Sequence, residues 1–514
     1  MKMKGINRRK FMVLASAGTA ATYLELSGAA ARAMMGGGMA GGGMGGGGMS
    51  GSVTVIDPSP GPAFADLPEA PKSGTEYEIT VQQSSVRLGS TNANLLTYNG
   101  MYPGPVMRAE KNGTLEVCLK NNLPKTSATN LLGHQRNITN LHTHGLHVTP
   151  NSPGDNVMVQ LRPGEEYHYS YDLRYESAGH LNFYHPHVHG TVAEQYWGGL
   201  AGPLVIGDGA DSPLSGFQTH IMMVKDITLS GSAPAAYSTM SDYMRGKEGN
   251  IVTVNGQVNP VLQIAPGQVQ RWQIVNACNA RYLKLSLDKH TMHVIGTDGG
   301  LVDQSYPLTQ ILVAPGERID VLVQGTQGTG TFKLLSLPYD RGMNALQQVT
   351  LLTLKYGKGP SASDVIPSAI NRDAVRPAFD LAPLERRQLT LSMMMGKGYI
   401  NGQSFVDMDH SYTVMSKLGE YEVWEILNQS GMDHPFHQHV NACQVLSTTG
   451  GDRDYADLYT KIPAWKDVVN IPKMGSATVL MPVMDWEGMS MFHCHIIEHE
   501  DIGMMGMWHI MDGM

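Results

Sequence analysis

The sequence predicts an all-β protein built as three β-sandwich domains, and three observations carry that expectation. Strand-like runs of alternating apolar residues are short and recur between Gly, Pro and Asn punctuation. No long stretch sustains a helical period. A weak repeat occurs three times at a period too long for a solenoid: an Asn-Gly pair leads to a strand and a closing asparagine. The copies are Asn99-Gly100 to Asn121, Asn255-Gly256 to Asn276, and Asn401-Gly402 to Asn428.

From the N-terminus, Lys2, Lys4, Arg8, Arg9 and Lys10 precede a short apolar stretch, 11–21, and Ala31-Arg32-Ala33 offers a cleavage site. Arg8-Arg9-Lys10-Phe11-Met12 resembles the twin-arginine export signal, so 1–33 reads as a signal peptide and the expected destination is the periplasm or the exterior. Residues 34–73 read as a flexible Met/Gly tail and linker. Within it Met34, Met35, Met39, Met44 and Met49 are soft thioethers that could collect Cu(I), or are incidental to a low-complexity linker.

The first unit is placed at 74–208. Its run 114–120 alternates, with Leu115, Val117 and Leu119 on one face. The second unit, 213–356, contains the expected strand 270–275. A connector at 357–384 carries Pro360, Pro367 and Pro377. The third unit, 385–514, contains the expected strand 422–427.

Composition narrows the function classes. A chain of 514 residues suits about two to four domains. A formal net charge of -8 gives no reason to expect nucleic-acid binding. No later stretch reaches the roughly 18 apolar residues of a membrane span. Of the cysteines, Cys118, Cys278 and Cys443 read as small buried apolar residues, and no C-x-x-C pair suggests a thiolate zinc site.

The chemistry lies in four histidine clusters, His142-Thr143-His144, His185-Pro186-His187, His434-Pro435-Phe436-His437-Gln438-His439 and His493-Cys494-His495. Imidazole, thiolate and thioether in this density are a copper ligand set. In a strand the two histidines of an H-x-H share a face. Four such pairs give eight imidazoles, too many for one copper and suited to a cluster of three. Cys494 then points to the opposite face and should bind a different copper. His434 and His499 complete a His₂Cys set, with Met504 as the weak axial ligand of a blue-copper site. His147 and His189 adjoin these pairs but are extra to the motif. His220, His290 and His293 of the middle unit read as structural.

These motifs resemble those of the multicopper oxidases, over essentially the whole chain after the tail. The resemblance implies three cupredoxin-like Greek-key domains, four copper ions and reduction of O₂ to water by single electrons from a donor. Motif by motif it implies His434, Cys494, His499 and Met504 at a type 1 copper. His142 and His437 match the type 2 ligands. His144, His185, His187, His439, His493 and His495 match the ligands of two type 3 coppers. Asp155 and Glu500 resemble the acids that relay protons in this family.

The electron donor is less legible. Met432 and Asp433 precede His434 and could dock Cu(I), and Met393, Met394, Met395, Met408 and Met415 add thioethers or fill the core. Some bacterial cuprous oxidases carry a long methionine-rich insertion in the third domain, which this chain lacks. The expected partners are therefore O₂ and either Cu(I) or a small aromatic donor, with the chain a monomer. Alternatives are the same catalyst dedicated to Mn(II), Fe(II) or another organic donor, and a non-enzymatic exported copper-binding or scaffold protein.

Overall fold

The computed structural model describes residues 56–209, 212–343, 346–357, 362–378 and 380–513. The signal peptide and the methionine-rich run expected in the first 51 residues lie outside them. Strand makes up 47% of the structure and helix 6%.

Six large sheets form three sandwiches in chain order. In the first, a five-stranded sheet built on Glu76–Leu88 and Thr114–Asn121 faces a four-stranded sheet holding His142–His144 and His180–His185. Six- and five-stranded sheets form the second, and two five-stranded sheets the third. The expected strands appear as Thr114–Asn121, Val269–Asn276 and Glu420–Asn428. In Thr114–Asn121 the inward residues Leu115, Val117 and Leu119 are buried. Each of the three strands pairs parallel with the first long strand of its unit, Glu76–Leu88, Gln218–Ile227 or Glu385–Met394. A parallel pair needs a crossover, and in each unit the chain passes through the opposite sheet between the two strands, at Met107–Ala109, Val261–Ile264 and Thr413–Lys417.

The repeated asparagines make one device three times. Asn99, Asn255 and Asn401 adopt φ of 53°, 52° and 50°, each followed by a glycine near φ 77°. Two consecutive left-handed residues make the tight hairpin turn for which Asn-Gly is the favoured pair. Each asparagine side chain also bridges to the first long strand: Asn255 accepts from Met223 N–H and donates to the Ile221 carbonyl, and Asn99 and Asn401 do the same in their units. The closing asparagines are buried and each bridges two separate segments. Asn276 donates to the carbonyls of Arg281 and Val313, Asn121 to those of Asn137 and Leu161, and Asn428 to those of Met432 and Ile471.

The units share apolar surface. Ala280, Tyr282, Val302 and Leu312 of the second join the core of the third, and Ile497 and Ile502 join a cluster of the first and second. All four cysteines are buried and unpaired. No helix among the described residues is long and apolar enough to cross a membrane.

Candidate metal centres

Two cross-strand pairs start the larger site. His142 lies opposite His185 in the first unit, and His437 lies opposite His493 in the third. The two sheets present these pairs to each other. Only His142 and His144 lie within one strand. The other three pairs straddle a strand end, at His185, Gln438 and Cys494. Their rings converge all the same, with centroids of each pair 4.8 to 6.0 Å apart.

All eight rings are buried. His144, His185 and His495 form one group, with centroids 4.8 to 5.8 Å apart. His187, His439 and His493 form another, 4.8 to 5.3 Å apart, and the Nε2 of His493 is 3.2 Å from those of both partners. His142 and His437 lie 5.7 Å apart between the groups.

Most of these rings are anchored on one side. His142 Nδ1 meets Asp155 at 2.7 Å, His144 Nε2 meets Asp467 at 3.0 Å, and His437 Nδ1 donates to the Asp467 carbonyl at 2.8 Å. His185 and His493 use Nδ1 on the carbonyls of Pro186 and Cys494. The opposite nitrogens, His142 Nε2, His144 Nδ1, His185 Nε2 and His437 Nε2, and both nitrogens of His495, are buried without partners. A buried polar atom left so costs about 1–3 kcal/mol. Burial, reinforced by neighbouring imidazoles, holds His142, His144, His187, His437, His439 and His495 well below the usual histidine pKa. Burial likewise brings His185 down to about 3 and His493 to about 4. Neutral rings with one fixed and one free nitrogen have the form that metal coordination requires. The donor set fits copper.

The smaller site lies across the strand Gly488–Cys494. Cys494 Sγ is 3.4 Å from His434 Nδ1 and 3.5 Å from His499 Nδ1, and those two nitrogens are 3.2 Å apart. Cys494 therefore faces away from the eight rings, while His493 and His495 beside it join them. The short helix Ile497–Asp501 carries His499 back to this site, and the Met504 carbonyl accepts from Cys494 N–H at 3.0 Å. Burial pushes the Cys494 thiol up. Holding it as thiolate there takes a cation such as copper.

Two acids flank the larger site. Asp155 also accepts from Thr143 N–H and Oγ, and burial raises it to about 7. Glu500 is buried, lies 3.5 Å from His187 Nδ1 and 3.3 Å from His493 Nδ1, and is pushed well up by burial and then by Asp501.

Three family models described as multicopper oxidase match residues 78–211, 218–359 and 379–513. The chain belongs to the multicopper oxidase family. It is a copper-dependent oxidoreductase that uses O₂. Among its relatives are a multicopper oxidase of Staphylococcus haemolyticus, 29% identical over 86% of this chain and 91% of that one, and a Bacillus subtilis laccase, 26% identical over 88% and 97%. The cell division protein FtsP of Photorhabdus laumondii is 26% identical over 85% and 89%. The solved multicopper oxidase of Campylobacter jejuni, described as a metallo-oxidase, superposes with a TM-score of 0.76 at 27% identity over 89% of this chain and 98% of that one.

Four residues that the motifs do not mark shape this oxidase's centres. Asp467 holds two rings of the larger site, and Arg318 holds Asp467. At the smaller site Ser430 Oγ meets His434 Nε2 at 2.7 Å, and the Met244 carbonyl accepts from His499 Nε2 at 3.3 Å. The outer edges of both imidazoles are thus covered, and both residues are fully buried. Met432 is half-buried with Sδ 3.7 Å from Arg341 Nη1. Asp433 is buried and accepts from Tyr339, Asn470 and Lys473 N–H, so its carboxylate ties the start of the strand to its neighbours. His147 is held by the Val440 carbonyl and Asp485, outside both ligand groups.

Proposed function

We propose that this chain couples one-electron oxidation of a donor, at a type 1 copper held by His434, Cys494, His499 and Met504, to four-electron reduction of O₂ to water at a cluster of three. In this reading His142 and His437 hold the type 2 copper. His144, His185 and His495 hold one type 3 copper, and His187, His439 and His493 the other. The units run 74–208, 213–356 and 385–514, joined by 357–384. A twin-arginine signal at 1–33, which takes the protein to the periplasm or the exterior, and a tail at 34–73 precede them.

One observation carries the reading: the Cys494 thiol and the rings of His493 and His495 lie on opposite sides of one backbone segment. Bound copper supplies the one-electron couple at the thiolate and the O₂ chemistry at the cluster. The chain supplies the rest. Cys494 and its neighbours give a covalent route between the two centres. Asp155 and Glu500, buried against the rings, hold protons at carboxylate oxygens where reduction consumes them.

The rim of the smaller site supports Cu(I) as the donor. Covered imidazole edges disfavour direct contact with a bulky phenol. Soft thioethers are close at hand: Met432 precedes His434, Met240 begins the helix that covers His499, and Met394 and Met395 are 57% and 91% exposed on a nearby hairpin. Phenols are then slower donors. One relative is named a cell division protein rather than an oxidase, but a non-enzymatic scaffold has no use for a buried His₂Cys set.

Steady-state O₂ uptake by copper-loaded protein, with Cu(I), a phenol, Mn(II) and Fe(II) as donors, tests this. The expected order places Cu(I) first by kcat/KM. Oxygen uptake with none of the donors would support the scaffold instead, and Mn(II) or Fe(II) in first place would reassign the donor.

A further inference from the structure

The middle unit carries none of the proposed ligands, yet it reaches into the cluster. Arg318 opens the strand Arg318–Gln324 and is 1% exposed. Its Nη1 and Nη2 donate to the two carboxylate oxygens of Asp467 at 2.6 and 2.5 Å, a bidentate fork. The remaining donors bind the carbonyls of Leu181, Gly316 and Asp298 at 3.0 to 3.1 Å. Asp467 in turn meets His144 through its carboxylate and His437 through its carbonyl.

A second clamp lies beside the first. Lys466 Nζ is 2.9 Å from Asp298 and 3.0 Å from Glu317, all three buried. Two consecutive residues of the third unit, opposite in charge, are gripped by opposite charges of the second. The loop before Arg318 also forms a wall. Gly316, at φ +85°, lies so close that a Cβ there would come 2.7 Å from Cγ of the His495 ring.

We infer that Arg318 is a positioning residue for the trinuclear site, fixing through Asp467 which nitrogens of His144 and His437 face inward. The inference rests on the ligand reading above, in which these two rings hold different coppers. Outer partners of ligand histidines set ring orientation and tautomer. A fork seated on both oxygens keeps Asp467 in one pose, and it satisfies a carboxylate that would otherwise be buried unpaired. Lysine keeps the charge but cannot make the fork. The role assigned to the middle unit is to hold the coordination geometry of the other two.

Copper content, the blue thiolate band and the type 2 EPR signal of Arg318→Lys and Asp467→Asn test this. Both variants should keep the blue band at full intensity per chain. Arg318→Lys, which frees the whole of Asp467 to shift, should lose at least half of the type 2 signal. Asp467→Asn leaves the backbone carbonyl under His437, so it should keep that signal while losing copper at the His144 site, read as a copper content below that of the wild type. In both, kcat should fall about tenfold or more with KM for the donor unchanged. A purely structural role would lower the blue and cluster readouts together, or neither, and either result overturns the inference. Should Arg318→Lys fail to fold, wild-type copper content and kcat in Asp467→Asn overturn it. Wild-type protein without any type 2 signal would instead sink the ligand reading itself.

Discussion

Asp155 and Glu500 differ in how they are held, and that difference sets what each does. Asp155 shares hydrogen bonds with His142 and Thr143, whereas both carboxylate oxygens of Glu500 lack a hydrogen-bond partner. A buried, unpartnered carboxyl is the better proton carrier. Glu500→Gln should therefore slow reoxidation of the reduced enzyme by O₂ about a hundredfold, read by stopped-flow, with the blue band intact. Asp155→Asn should slow it and also loosen His142, lowering the type 2 signal. At the donor rim, Met432→Ala should raise KM for Cu(I) and leave phenol kinetics unchanged; a parallel rise for phenol would mean the thioether is only packing. The residues of the ligand motif were legible because short covalent spacings place them. Asp467 and Arg318 were not, since Asp467 meets His144 across 323 residues and a Lys-Asp or Glu-Arg pair carries no pattern of its own.

The repeated asparagines show how elements copy a fold without copying a sequence. Asn276, buried between the carbonyls of Arg281 and of Val313 at a strand end, is replaced by no apolar residue without orphaning both. Asn276→Ala should cost about 2 kcal/mol in denaturant unfolding, and Asn121→Ala and Asn428→Ala about the same. A cost at only one of the three would mean the repeat is coincidental. The strands were readable because their alternation is local. The short helices were not: Val192–Gly198, Met240–Arg245 and Ile497–Asp501 have 7, 6 and 5 residues, under two turns, so they carry no period. They are fixed by tertiary contacts instead. Glu498 bonds Tyr237, Asn279 and Lys247 N–H, and Asp501 accepts from Gly190 and Ala193 N–H. The H-x-H pairs were expected along strands, but three end one, and the turn there aims the second ring as well as alternation would.

At the scale of the molecule, the larger site is a joint between the first and third sandwiches, with the middle one as its clamp. Imidazoles with buried free nitrogens make the metal-free joint weak, so copper binding should stabilise the whole chain. At a free-copper concentration 1,000-fold above Kd the gain is about 4 kcal/mol, visible as a fall in Tm when copper is removed by a chelator. An unchanged Tm would mean that the rings do not bind it. Deleting residues 34–51 should weaken Cu(I) turnover and spare phenol turnover if that run gathers copper; equal loss, or no loss, would retire the idea. The opposed placement of Cys494 and its two histidine neighbours is the claim on which the electron route depends. Anomalous diffraction at the copper edge, on crystals of copper-loaded protein, tests it most directly. The account predicts one peak bonded by Cys494, His434 and His499, and three more among the eight clustered rings across the strand. A single peak per chain, or no peaks among those rings, would contradict it.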